Sequence, residues 1–194
     1  MTSITNIFLK LLCVAALCAF FDTVSGAKVQ SVEVWMKDGR YHLISETLLN
    51  AKQDDLYEVL IDYEQFKKFS SAIIASKNIK PDFIGRPRFY TRMQGCVLLY
   101  CYTFDRRGYL ILLPKHDITA VSDPERSDFK FSRERWRLSR HGDHTMMIYE
   151  FEVEPRFWVP PYVGPYVIKR ALKSGIIRAV NRIEVLARGK EPNF

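Results

Sequence analysis

Cysteine and histidine are scarce in this chain: four of each in 194 residues. His42, His116, His141 and His144 fall on a strand edge and in expected loops, and none repeats at the spacing of a zinc-binding helix. "HGDH" (141–144) holds two of them, but a polar hairpin tip explains it more simply than a metal site. Cys13 and Cys18 lie in the leading apolar segment, which leaves Cys96 and Cys101, and two thiols do not complete a tetrahedral zinc site. There is no phosphate loop, no dinucleotide fingerprint and no Gly-x-Ser-x-Gly elbow; "GYLILLP" (108–114) has no serine at all. Internal repeats and low-complexity tracts are absent as well. Neither metal nor cofactor is expected. What these absences leave open is a binding protein, or an active site assembled from residues far apart in sequence.

The chain also lacks an apolar run of the roughly 20 residues that a membrane helix needs. What it has instead is Lys10, then "LLCVAALCAFF" (11–21), then "VSGA" with Ser25 and Ala27 at small-residue positions. That is the layout of an export signal over 1–27, cut ahead of Lys28. The remainder, 28–194, has the length of one domain. The expectation is an exported protein, periplasmic or secreted, with anchoring by an uncleaved signal as the alternative. Lys10 and Asp22 cancel, so the domain keeps the whole formal charge of +7. A basic excess suits solubility or contact with anionic lipid head groups. Nucleic acid is not an expected partner, because the basic residues are scattered and the chain is exported.

"CVLLYC" (96–101) reads as a strand. Extended, it holds its two cysteines about 16 Å apart, beyond the roughly 7 Å a disulfide spans. They pair only if the chain reverses inside an apolar run with no turn residue. An oxidising compartment favours pairing, so both states stay open.

Alternation of Val29, Val32, Val34 and Met36, then Asp38-Gly39, then "RYHLISETLLNA" (40–51), predicts a hairpin. Leu56, Val59, Leu60 and Tyr63 recur at helical spacing, and a polar break at 62–65 separates a second short helix with Phe66 and Phe69. Antiparallel strands are expected over 73–80, 87–94, 96–106, 109–120, 130–139 and 146–154, with turns at Pro81-Asp82, Gly85, Arg107-Gly108, Asp123-Pro124 and 141–144. In the last strand Met147, Tyr149, Phe151 and Val153 face inward; Glu150, Glu152 and Glu154 face water. From Pro165, an apolar stripe through Ile168, Leu172, Ile176, Ala179 and Ile183 predicts one long helix that stops at Gly189. The fold class is α+β: a curved antiparallel sheet wrapped around a long C-terminal helix.

This order of elements, with "LYEVLIDYEQFKKF" (56–69) after the early strands, the turn into "MIYEFEVEP" (147–155) and the proline-rich approach to the last helix, resembles the SRPBCC superfamily. These are the START-related, helix-grip proteins, including polyketide cyclase/dehydrase-like and coenzyme Q-binding types. The resemblance covers about Tyr41 to Gly189. It implies a cavity between sheet and helix for a hydrophobic small molecule, lipid or quinone-like, and a carrier more readily than an enzyme. A cyclase/aromatase-type enzyme and an interaction module with a filled core are the alternatives.

The residues expected to line such a cavity are Phe66, Phe69, Tyr100, Trp136, Tyr149, Phe151, Trp158, Ile168, Leu172, Gly175 and Ile176. Gly175 stands out because a mid-helix glycine costs about 1 kcal/mol against alanine, which suggests room kept for a guest. Pro160, Pro161 and Pro165 stiffen the approach to the helix. Trp158 and Tyr162, with Lys169, Arg170 and Lys173, form a candidate membrane contact, since such rings suit a boundary between apolar and wet surroundings.

Overall fold

The structure is a computed structural model, and it describes residues 26–97 and 100–192. The expected export signal therefore lies outside the described residues, except Gly26 and Ala27.

Eight strands form one antiparallel sheet in the order β1-β2-β8-β7-β6-β5-β4-β3. They are β1 (Lys28–Lys37), β2 (Arg40–Leu49), β3 (Ile73–Ile79), β4 (Arg88–Val97), β5 (Tyr100–Leu113), β6 (Asp117–Ser122), β7 (Phe129–His141) and β8 (His144–Pro155). Between β2 and β3 lie α1 (Gln53–Ile61), a 3-10 turn (Tyr63–Gln65) and α2 (Phe66–Phe69); α3 (Gly164–Ala187) follows β8. The Asp38-Gly39 hairpin is as expected: both residues have positive φ, 52° and 76°, as a tight two-residue hairpin turn requires. The stop at Gly189, with φ 70°, is also as expected.

Two strand boundaries differ from the sequence reading. Arg107-Gly108 is not a turn but lies within β5, where Gly108 faces Phe89 and Ser122. A Cβ there would clash with the Val121 carbonyl and come within 2.9 Å of the Phe89 ring, so glycine here permits a close approach of two backbones rather than a reversal. The reversal comes at Pro114–His116, with Lys115 at φ 68°, and it splits the expected strand 109–120 between β5 and β6.

The second difference is "CVLLYC". It is not one strand. β4 ends at Val97, β5 begins at Tyr100, and Cys96 faces Cys101 in a disulfide with Cα atoms 4.0 Å apart. The cross-strand ladder, which runs on through Gly95–Tyr102 and Gln94–Thr103, sets this hairpin without any glycine or proline at its end.

One sheet face carries an ion-pair ladder: Arg133, Arg135 and Arg137 of β7 meet Glu152, Asp117 and Glu150 at 2.7, 2.6 and 2.5 Å. The other face holds the core, with Leu56 and Leu60 of α1, Tyr63, Phe66, Phe69, and Val180 and Ile183 of α3. α3 is held unevenly along its length. Near its C-terminus the buried Glu184 accepts from the Asn50 amide at 2.7 Å, and Arg188 Nε donates to the Asn50 carbonyl at 2.7 Å. Its buried residues are Gly164 and then Ile176 onward, so the stretch 165–175 sinks none of its side chains fully. The helix grips at one end and stands off at the other.

Candidate functional site

The space left by that stand-off is a cavity of about 170 Å³. Its sheet wall is Leu43, Met93, Trp136, Tyr149 and Phe151; Phe66, Phe69, Ser70, Ala72 and Ile73 close one side; Ala171, Leu172, Gly175, Ile176, Ala179 and Ile183 form the helix wall. The period of two along β7 and β8 brings Trp136 and Tyr149 to the same face, where their rings stack 5.3 Å apart. Phe66 meets Trp136 edge-on at 6.1 Å and stacks on Tyr63 at 3.9 Å. No heavy atom other than its chain neighbours and its own helix backbone lies within 4 Å of where a Cβ would stand on Gly175. Its missing side chain opens onto empty space.

Of the residues expected at a cavity, Phe66, Phe69, Trp136, Tyr149, Phe151, Leu172, Gly175 and Ile176 line this one. Trp158 and Ile168 do not: Trp158 is 79% exposed, and Ile168 is half-buried against the core. The side chain of Tyr100 lies outside the described residues. Phe157 turns inward to stack on Phe104 at 4.2 Å, which anchors the linker between β8 and α3. Trp158, Tyr162 (93% exposed) and Tyr166 stay in solvent, with Arg170 and Lys173 exposed and Lys169 half-buried on the following turns.

The sequence reading missed the polar end of the cavity. Glu134 of β7 lines it, and its Oε1 accepts from Arg106 Nη1 of β5 at 2.5 Å. Arg106 Nε donates to Ser122 Oγ at 2.8 Å, and the guanidinium sits 5.0 Å from the Phe89 ring. Both charges are buried, as is the Tyr63 phenol. Burial disfavours the Arg106 cation, yet the adjacent Glu134 raises its pKa above the ordinary value. Burial first, and the Glu134 charge second, push the Tyr63 and Tyr149 phenols well above 10.0, with Arg106 opposing. The Tyr149 phenol approaches the Glu134 carboxylate, while Arg106 Nη2 and the Tyr63 hydroxyl make no hydrogen bond among the described residues. A buried polar group without a partner is unusual and points to a bound water or ligand.

The signal was in the phase of two strands. In "FSRERWRL" (131–138), Glu134 shares its face with Ser132, Trp136 and Leu138, so a carboxylate stands in an inward row. Arg106 lies two residues before Gly108, on the face that Leu110 continues, but a turn placed at 107–108 hides that phase. Among the described residues there is no cluster of three metal-ligating side chains and no helix long and apolar enough to cross a membrane.

No family model and no curated relative matches the chain. Solved structures do. A START superfamily protein from Mycobacterium smegmatis has a TM-score of 0.59 at 15% identity, covering 75% of this chain and 98% of that one. A STAR-related lipid transfer protein from Xanthomonas axonopodis has 0.60 at 16%, covering 84% and 99%. The Zhui aromatase/cyclase from Streptomyces sp. R1128 has 0.60 at 14%, covering 77% and 94%. At these identities the likeness is one of fold. The chain has the helix-grip fold of START-type proteins and aromatase/cyclases, in agreement with the resemblance drawn from its sequence.

Proposed function

We propose that the protein is an exported carrier that holds a compact hydrophobic molecule between sheet and α3, with a hydrogen-bonding group of that molecule turned toward Glu134. The observation that carries this reading is an apolar, partly aromatic cavity with one buried carboxylate, Glu134, in its wall. Ligand pockets are mostly apolar with a few placed polar groups. Size limits the guest. Drug-sized sites run from about 300 Å³ upward, so 170 Å³ suits a one- or two-ring body or the end of a chain. A longer quinone or lipid tail would leave between the α2–β3 turn and the first half of α3. The Cys96–Cys101 disulfide supports export, since such bonds persist in oxidising compartments. The exposed Trp158 and Tyr162, with Lys169, Arg170 and Lys173 beyond them, support delivery at an anionic membrane surface.

The test is native mass spectrometry of the exported protein with an organic extract, followed by titration of the extracted compound. Quenching of Trp136 fluorescence should report its binding and vanish in Trp136→Phe. Protein that is ligand-free from its own compartment, and silent to a panel of quinones, phenols and fatty acids, would overturn the proposal. A second reading, a cyclase-type enzyme, is favoured by the placement of Glu134 beside the Tyr149 phenol at one cavity wall. Turnover of a bound polyketide-like substrate, lost in Glu134→Gln, would select it over the carrier.

A further inference from the structure

A larger hollow lies elsewhere, between α1 and the edge of the sheet at β3, β4 and β5. It is an open groove of about 590 Å³ whose floor and sides include Ile61, Pro87, Leu110 and Leu112. Three charged residues line it: Asp62, which accepts hydrogen bonds from Gln65 and Asn78, and Glu58 and Arg88, neither of which forms a salt bridge or hydrogen bond among the described residues. At its rim the β3–β4 loop, which supplies Pro81 and Pro87 to the groove, carries Phe83 (96% exposed) and Ile84 (61%). This loop is held firmly. Asp82 accepts hydrogen bonds from the Ile84 and Arg86 amides at 3.1 and 2.9 Å and from Arg86 Nε at 2.7 Å. Arg86 in turn lies over the Tyr109 ring at 3.9 Å.

A rigid loop that presents a bare phenyl ring loses little conformational freedom when that ring is buried. Burying an aromatic side chain removes about 200 Å² from water. The projecting ring, the apolar groove and both unpaired charges belong to one surface of one chain. A two-fold axis through such a surface makes every contact twice, with each residue meeting its complement in the other copy. We propose that two copies of this chain associate through this surface, with Phe83 of each seated in the groove of the other and Arg88 of each facing the Glu58 of the other. Charge complementarity favours a second copy over a lipid surface, because the groove carries both signs, Glu58 and Asp62 against Arg88, and an anionic head-group layer satisfies only the basic member. The groove takes Ile79 and Arg88 at one end of the β3–β4 pair and the cavity takes Ile73 and Met93 at the other, so the dimer leaves the cavity free.

Sedimentation velocity over a range from low micromolar to near-millimolar should show a concentration-dependent dimer. Phe83→Ser, at a fully exposed position that leaves the fold intact by circular dichroism, should raise its dissociation constant at least about tenfold, as loss of a central aromatic anchor does. Arg88→Glu and Glu58→Arg should each weaken the dimer, and the two together should restore it. A monomer throughout the range overturns the proposal, and so does a dimer indifferent to Phe83→Ser. Failure of the double reversal to restore association overturns the two-fold register. A monomer that binds vesicles of phosphatidylglycerol through Phe83 would replace the second copy with a membrane.

Discussion

Arg106 and Glu134 meet across strand β6, which lies between their own strands and offers Ser122 as the third member of the contact. The pair is buried at the polar end of the aromatic hollow, and Arg106 Nη2 has no hydrogen-bond partner among the described residues. Such a pair is a poor device for stability, because desolvating two charges offsets most of their attraction. It is a good device for holding a carboxylate in a fixed place where a guest can reach it.

Glu134→Ala should therefore destabilise the fold by about 3–5 kcal/mol, because it leaves the Arg106 cation buried and alone. Arg106→Met with Glu134→Leu should recover most of that loss. Urea unfolding of both variants checks the first half. The double variant then separates stability from binding: it should fold and keep its cavity, yet bind the extracted ligand at least about tenfold more weakly for want of one charged hydrogen bond. Equal affinity in the double variant would mean that the guest does not use the pair.

How far the sequence led can be read from the same strands. Periodicity sufficed for β2, β8 and α3, where apolar residues recur along one face despite the buried Ser45, Thr47 and Glu184, and so it placed Tyr149, Phe151, Leu172 and Ile176 together. It failed at β5, where Gly108 looks like a turn residue but works as a site of close backbone approach, a property of the neighbouring strand and of Phe89. Losing that strand's phase also lost Arg106. The disulfide was hidden for a related reason: local turn chemistry is silent in "CVLLYC", and the pairing of β4 with β5 sets the reversal. Trp158 was expected both at the cavity and on the surface, because an aromatic near prolines looks the same in sequence whether it points inward, as Phe157 does, or outward, as Trp158 does.

Gly175 offers a direct handle on the cavity. Gly175→Ala should stabilise the protein by about 1 kcal/mol through helix propensity alone, since its new methyl enters open space. Gly175→Leu should fill much of the hollow, leave the melting temperature unchanged or raised, and abolish ligand binding. Thermal unfolding and ligand titration on the three proteins check this. A leucine variant that binds as well as the parent would place the guest elsewhere.

The disulfide acts on a defined piece of structure. β3 pairs with β4 only as far as Met93, and β6 joins β5 only from Gly108, so the outer part of the β4–β5 hairpin has few flanking strand partners. An isolated two-stranded ribbon is marginal in water. Replacing Cys96 and Cys101 by serine should cost about 2 kcal/mol on the loop-entropy scale for so short a loop. The change should be local: amide exchange should quicken over 94–104 and at Phe157, which Phe104 supports, while β7 and α3 keep their protection. Uniform loss of protection would show that the bond braces the whole sheet.

Tyr63 and Tyr149 make a prediction about alkaline stability. Both phenols are held well above 10.0 in the folded protein, mainly by burial. In the unfolded chain they titrate near the ordinary value, so above that pH the unfolded state binds fewer protons than the native one. Stability is therefore present in full below pH about 10 and falls as pH rises from there toward the folded pKa values. Tyr63→Phe removes one of these groups and, at neutral pH, also removes a buried hydroxyl that has no hydrogen-bond partner among the described residues. It should be neutral or stabilising by about 1 kcal/mol at pH 7, and it should flatten the alkaline decline. Urea midpoints measured from neutral to strongly alkaline pH, with phenolate absorbance followed in parallel, test both halves. If Tyr63→Phe is strongly destabilising at neutral pH, the hydroxyl has a partner after all, and a bound water or the guest itself beside Arg106 and Glu134 is where to look for it.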